Sequence, residues 1–146
     1  MELKVKKLNE SATLPTRATQ GSAGYDLYAC LENATQIAPG QTVKIPTGIA
    51  IALPDNNHVA LIYARSGLSV NHGIALANSV GVIDSDYRGE IIVALVNNSQ
   101  IPYTIEPQTR IAQMVITPVA LPQLIEVPDL EETARGSGGF GSSGTK

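Results

Sequence analysis

Gly81-Val82-Ile83-Asp84-Ser85-Asp86-Tyr87-Arg88-Gly89 is the stretch around which the chain is organised. Apolar segments flank it, residues 74–77 before and 91–96 after, and their composition predicts strands on both sides. Two carboxylates, a phenol and a guanidinium are thereby held between rigid elements, as a functional site requires. Alone, the stretch reads better as a solvated turn, because Asp and Gly are common turn residues and short motifs often match by chance. The residues outside it decide the matter.

Outward from this stretch the pattern stays β. Leu3, Val5 and Leu8 predict an edge strand whose exposed face carries Lys4 and Lys6, a common guard against edge pairing. Residues 24–29 alternate as a strand should, with Asp26 an unusual guest. Val43 and Ile45 recur at period two after the turn signal Pro39-Gly40, and residues 48–53, 59–64, 103–105 and 110–118 read as further strands. One short helix is predicted over residues 66–73, with Ser66 as its N-cap and Gly73 at its end. Ser79-Val80-Gly81 is predicted to close a tight hairpin, Gly81 tolerating positive φ. About ten short strands at this spacing indicate an all-β, closed or double-sheet antiparallel architecture such as a jelly roll. Residues 121–132 should be extended, and the Gly/Ser-rich tail has the composition of a flexible arm. The expected division is a domain over residues 1–133 and an arm over 134–146.

At 146 residues the chain is long enough to bury roughly two thirds of its unfolded surface. A net charge of −3 leaves no basic footprint, so nucleic acid is not an expected partner. No apolar run approaches a membrane span or a signal peptide, and Cys30, the only cysteine, fits a reducing compartment, so a cytoplasmic location is expected.

Three of the five arginines sit beside glycine: Arg65-Ser66-Gly67, Arg88-Gly89 and Arg135-Gly136. Glycine lets a backbone approach an anion closely and arginine supplies a forked cation, a pairing suited to phosphate oxygens. The tail Gly136-Ser137-Gly138-Gly139-Phe140-Gly141 matches G-x-G-x-x-G but lacks the surrounding βαβ unit, so it is no dinucleotide fold. An amide-rich arm can still wrap a polyphosphate, and Phe140 can stack on a planar base. His58 and His72 have no ligand partners at zinc spacing. Asp26, Asp84 and Asp86 remain as candidates for a hard cation, Mg²⁺ combining few carboxylates with water and substrate phosphates.

Taken in order, Ala23-Gly24-Tyr25-Asp26-Leu27, Ala64-Arg65-Ser66-Gly67-Leu68, Asn78 with the stretch Gly81 to Gly89, Arg110-Ile111-Ala112-Gln113-Met114, and Arg135 to Gly141 resemble the five motifs of the trimeric deoxyuridine triphosphate nucleotidohydrolases (dUTPases). The resemblance implies a distorted jelly roll with one short helix, a homotrimer with shared active sites, and a C-terminal arm exchanged between subunits. It implies hydrolysis of dUTP to dUMP and pyrophosphate by attack of water on the α-phosphorus, limiting uracil incorporation into DNA and supplying dUMP for thymidylate synthesis. Asp84 would be the general base, and Asp26 would reach Mg²⁺ through water. Arg65, Ser66, Gly67 and Gln113 would meet the phosphates, with Arg135, Gly136 and Ser137 closing over the γ end. Asn78, Gly81, Val82 and Ile83 would read uracil, Tyr87 would pack under the deoxyribose, and Phe140 would cover the base. Asp86 and Arg88 would hold the motif through ion pairs or hydrogen bonds. Two rivals are a dCTP deaminase, which shares the fold, and a nucleotide-binding regulator without hydrolysis.

Overall fold

The computed structural model describes residues 1–139. Among them the elements run β1 (Lys4–Lys7), β2 (Tyr25–Tyr28), β3 (Thr35–Ile37), β4 (Thr42–Pro46), β5 (Ile49–Ala52), β6 (His58–Tyr63), α1 (Ser66–His72), β7 (Ile74–Leu76), β8 (Gly81–Ile83), β9 (Ile92–Asn97), β10 (Tyr103–Ile105) and β11 (Arg110–Pro118). The strands are short because Gly, Pro, Asn and Asp turns interrupt them at close intervals. They form four antiparallel sheets: β2-β11-β6-β8, β4-β9-β7, β1-β5 and β10-β3. None closes into a barrel.

One apolar core joins the sheets, with Leu27, Ile37, Ile45, Ile62, Leu95 and Met114 among its buried members. Alternation sets the faces: in β9, Val93, Leu95 and Asn97 point inward while Ile92 is exposed. Asn97 is fully buried, a costly position for an amide unless its polar atoms are bonded. Its Nδ2 donates to the carbonyls of Ile37 (2.9 Å) and Ile101 (2.8 Å), and its Oδ1 accepts from Ser99.

Strand β11 runs between β2 and β6 and carries the site. Its register against β2 shifts between Arg110 and Ala112, a bulge that lets the adjacent Ile111 and Ala112 both bury.

Two local expectations are corrected. The helix is capped by Arg65, whose carbonyl accepts the first helical bond from the Ser69 amide at 2.9 Å, so Ser66 is the first helical residue and not the N-cap. Gly73 does end the helix, with φ +69°. Residues 79–81 close no hairpin: β7 pairs with β9 and β8 with β6, so the loop between them crosses from one sheet to another. The positive φ there belongs to Ser79 (62°). Gly81 serves packing instead, since a Cβ on it would stand 3.0 Å from Cβ of Ile62.

Candidate active site

Three neighbouring strands bring one cluster together. Asp26 of β2 lies opposite Gln113 of β11, and Gln113 lies opposite Tyr63 of β6. Arg65 and Ser66 follow two and three residues beyond Tyr63, at the junction with α1. Paired residues across antiparallel strands share a face, and this face opens on a cleft of about 330 Å³ lined by Gly24, Asp26, Arg65, Ser66 and Gln113. Asp26 is in place because alternation sends its neighbour Leu27 into the core.

Asp26 holds the cluster together. Its Oδ1 meets Nε of Arg65 at 2.9 Å and its Oδ2 meets a guanidinium nitrogen of Arg110 at 3.3 Å. Arg65 also reaches the Arg110 carbonyl, at 3.5 Å. Two guanidinium groups around one carboxylate leave a net positive charge, and Arg65 retains unused donors for an anion. Gln113 is fixed by donating to the Ala64 carbonyl at 2.9 Å. Gly24 makes room for it, because a Cβ there would stand 2.6 Å from Oε1 of Gln113. Gly67, at the first turn of α1, has no atom within 4 Å of where its Cβ would stand, so that turn is open to approach.

Arg110 is the cluster member that strand periodicity misses. Simple alternation puts Arg110 and Gln113, three residues apart, on opposite faces. The bulge at Ile111 inserts one residue and returns Arg110 to the face of Asp26.

The stretch 81–90 lies elsewhere. β8 is the edge strand of its sheet, so the side of its backbone away from β6 is unpaired among the described residues. Val82, Ile83, Asp84, Tyr87 and Glu90 line a cleft of about 190 Å³. Asp84 also borders a larger hollow of about 560 Å³ beside His58 and Asp86. Arg88 braces the turn, donating to the carbonyls of Ser85 (2.7 Å) and Tyr87 (2.8 Å). Asp86 does not share in this bracing: it is exposed, and among the described residues it forms no ion pair with Arg88, whose Nη1 is directed at those carbonyls. Near the hollow, His58 Nδ1 lies 2.7 Å from Asp55, and this contact, with the Asn57 amide, draws the Asp55 carboxyl below its usual range.

Within one chain the two groups stand apart. Ile83 pairs with Ala60, which places Asp84 beside Val59, and Arg65 lies six residues further along. At about 3.3 Å per extended residue the six steps, the last two beyond the end of β6, span up to about 20 Å. The cleft at Arg65 shares no residue with either cleft at Asp84.

The arm begins beyond both. Arg135 Nε donates to the Gly138 carbonyl at 3.0 Å, and the Gly136 amide bonds back to Thr133, forming an exposed turn. The structure leaves Arg135, Gly136 and Ser137 within this turn, and Phe140 lies outside the described residues. No helix among the described residues is long and apolar enough to cross a membrane.

No group of three or more His, Cys, Asp or Glu side chains could hold a metal among the described residues. Asp26 has a guanidinium on each oxygen, which disfavours direct ligation. Each carboxylate oxygen keeps a second lone-pair site. The donor set therefore fits a cation bound by phosphates and reached through water, and does not fit an all-protein cage.

Comparison with known proteins extends this description. The family model described as dUTPase matches residues 10–144. A deoxyuridine 5'-triphosphate nucleotidohydrolase of Desulfitobacterium hafniense is 52% identical over 136 residues, 93% of this chain and 90% of its own. One from Idiomarina loihiensis is 54% identical over 138 residues, 94% and 91% of the two chains. Among solved structures, a mutant dUTPase of Staphylococcus bacteriophage 80alpha with dUpNHpp superposes with a TM-score of 0.89 at 28% identity, covering 99% of each chain. A mutant dUTPase of the S. aureus phage phi11, whose structure concerns the coordination of a structural Mg(II) ion, gives 0.81 at 25% identity over 90% of this chain and 100% of its own.

Proposed function

The chain belongs to the dUTPase family, and on that premise we propose that it hydrolyses dUTP to dUMP and pyrophosphate in a site assembled from more than one copy of the chain. The observation that carries the shared site is that Asp84 and Arg65 line separate clefts, with six residue steps from Val59, beside Asp84, to Arg65, a span of up to about 20 Å. A water activated at Asp84 cannot reach a phosphate chain seated on Arg65 of the same copy, whereas a neighbouring copy can bring its Asp84 to that cleft. The exposed apolar side chains of Leu121, Leu124, Ile125, Val127 and Leu130, on a segment with no strand pairing among the described residues, support contact with a neighbour. The assembly proposed is a homotrimer. Two copies supply the Asp26–Arg65–Gln113 cleft and the stretch 81–89, and the third supplies the arm with Arg135, Gly136, Ser137 and Phe140.

Within that site Arg65, Ser66, Gly67 and Gln113 seat the triphosphate, with Arg110 adding charge. Ser66 has a hydroxyl available because Arg65 caps the helix. Asp84 orients a water in line with the α-phosphorus and takes its proton as the P–O bond to pyrophosphate breaks. A carboxylate is a weak base at neutral pH, so placement contributes much of its effect. A divalent cation, Mg²⁺ in this proposal, neutralises charge on the leaving pyrophosphate when bound to the phosphates. Asp26 would hold that cation through its water shell.

Uracil is read by the backbone of Gly81, Val82 and Ile83 with Asn78. The unpaired edge of β8 supports this, since strand amides and carbonyls can present a base-pairing edge. Cytosine, with donor and acceptor reversed, leaves those groups unpaired. Tyr87 packs under the deoxyribose, where a ribose hydroxyl clashes.

The test is release of pyrophosphate from dUTP, dCTP, dTTP and UTP, with Mg²⁺ and with chelator. Release confined largely to dUTP and abolished by chelator is expected. Ammonia from dCTP, or nucleotide binding without hydrolysis, would contradict the proposal.

A further inference from the structure

Tyr87 does not stand free at the rim of its cleft. Its ring folds back over its own turn: a Cβ built on Gly89 would lie 2.4 Å from the Tyr87 hydroxyl oxygen, 2.5 Å from Cζ and 3.0 Å from Cε2. Its hydroxyl donates to the main-chain carbonyl of Glu90 at 3.0 Å. Glu90 is itself anchored, its carboxylate accepting the Gly48 amide at 2.7 Å in a half-buried position. Gly48 has φ +69°, and its carbonyl accepts from the Leu8 amide at 2.7 Å, tying the anchor to the β1–β5 sheet. The hydroxyl end of the ring is thus held twice, packed over the bare Cα of Gly89 and bonded to a carbonyl whose residue is pinned to a separate part of the fold.

We propose that Gly89 and Glu90 are positioning residues that set the ring of Tyr87, and with it the choice between deoxyribose and ribose. The inference rests on the reading of Tyr87 as the residue that packs under the sugar. Glu90 shares the cleft with Asp84 and Tyr87, so its displacement acts where the sugar is read. An alanine at position 89 forces the ring back by about 1 Å to regain ordinary van der Waals separation. Gly89 has no positive φ, so the alanine meets the ring and not a backbone prohibition.

The experiment compares kcat/KM for dUTP and for UTP in the full-length protein and five variants: Tyr87→Ala, Gly89→Ala, the two combined, Glu90→Ala and Glu90→Gln. Gly89→Ala should lower the dUTP-to-UTP ratio by roughly ten- to a hundredfold, the range expected for a misplacement of this size. In the Tyr87→Ala background the same substitution should change the ratio no further, because the group it displaces is gone. Glu90→Ala should lower the ratio, and Glu90→Gln, which keeps an oxygen for the Gly48 amide, should restore it. A wild-type ratio in Gly89→Ala beside a lowered one in Tyr87→Ala overturns the clamp and leaves the role of Tyr87 standing. A wild-type ratio in Tyr87→Ala overturns both. A Gly89→Ala effect that persists undiminished without the ring also overturns the clamp, as general disturbance of the turn would produce it. Failure of Glu90→Gln to restore the ratio removes Glu90 from it.

Discussion

Replacing Asp26 with asparagine tests how the phosphate cleft is built. The carboxylate holds Arg65 and Arg110 at 2.9 and 3.3 Å, with side chains 14%, 28% and 49% exposed for Asp26, Arg65 and Arg110. The closer, better buried pair contributes about 1 kcal/mol and the half-exposed pair about half of that. The asparagine oxygen still accepts from Arg65 Nε, but its NH₂ then faces the Arg110 donor, so most of one pair and the charge of both are lost. A destabilisation of about 1 kcal/mol follows, which lowers Tm by roughly 2–4 °C for a chain near this size. The loss should shrink in 1 M salt, where the screening length falls to about 3 Å. Kinetics separate positioning from charge. If Asp26 mattered only through its charge, removing it would leave a more positive cleft that binds dUTP more tightly with unchanged turnover. If its charge and second oxygen hold the two guanidinium groups together and reach the cation through water, kcat/KM should fall about ten- to a hundredfold. Thermal unfolding at two salt concentrations and steady-state pyrophosphate release measure both. An unchanged Tm together with unchanged kcat/KM would refute the reasoning.

Asp84→Asn should bind dUTP as the unsubstituted protein does and lose about 10²- to 10⁴-fold in kcat, the usual contribution of a general base. Near-normal turnover would remove Asp84 from that role. Ending the chain after Thr133 should leave the described core folded and, on the proposed role of the arm as a lid, reduce kcat/KM for dUTP strongly. Unchanged activity would show that the arm is no lid.

The β architecture was legible because alternation and turn residues are local signals, and Arg110 to Pro118 was marked at both ends by the sequence itself. What escaped depends on pairing. Nothing in Ser79-Val80-Gly81 tells whether β7 and β8 pair with each other or with different partners, and the pairing to β9 and β6 turned a predicted hairpin into a crossing. Ser66 has the right chemistry for an N-cap, but the first helical carbonyl is that of Arg65. Asp26 looked misplaced in a strand until Gln113 and Arg65 were seen beside it across the sheet. Arg110 lay within a motif yet carried no assigned role, since only the bulge at Ile111 turns it toward Asp26. The clasp of Tyr87 by Gly89 and Glu90 is likewise a matter of three-dimensional approach.

The central claim is that cleft and base come from different copies of the chain, and mixing two inactive variants addresses it. Arg65→Ala lacks the cleft's principal cation and Asp84→Asn lacks the base. When the two are co-assembled in equal amounts, a site that draws its cleft from one copy and its base from another is intact in roughly one case in four, given head-to-tail contacts in a ring. The account predicts that the mixture recovers about a quarter of the unsubstituted activity, while each variant alone stays inactive. A co-assembled mixture no more active than its components would contradict it.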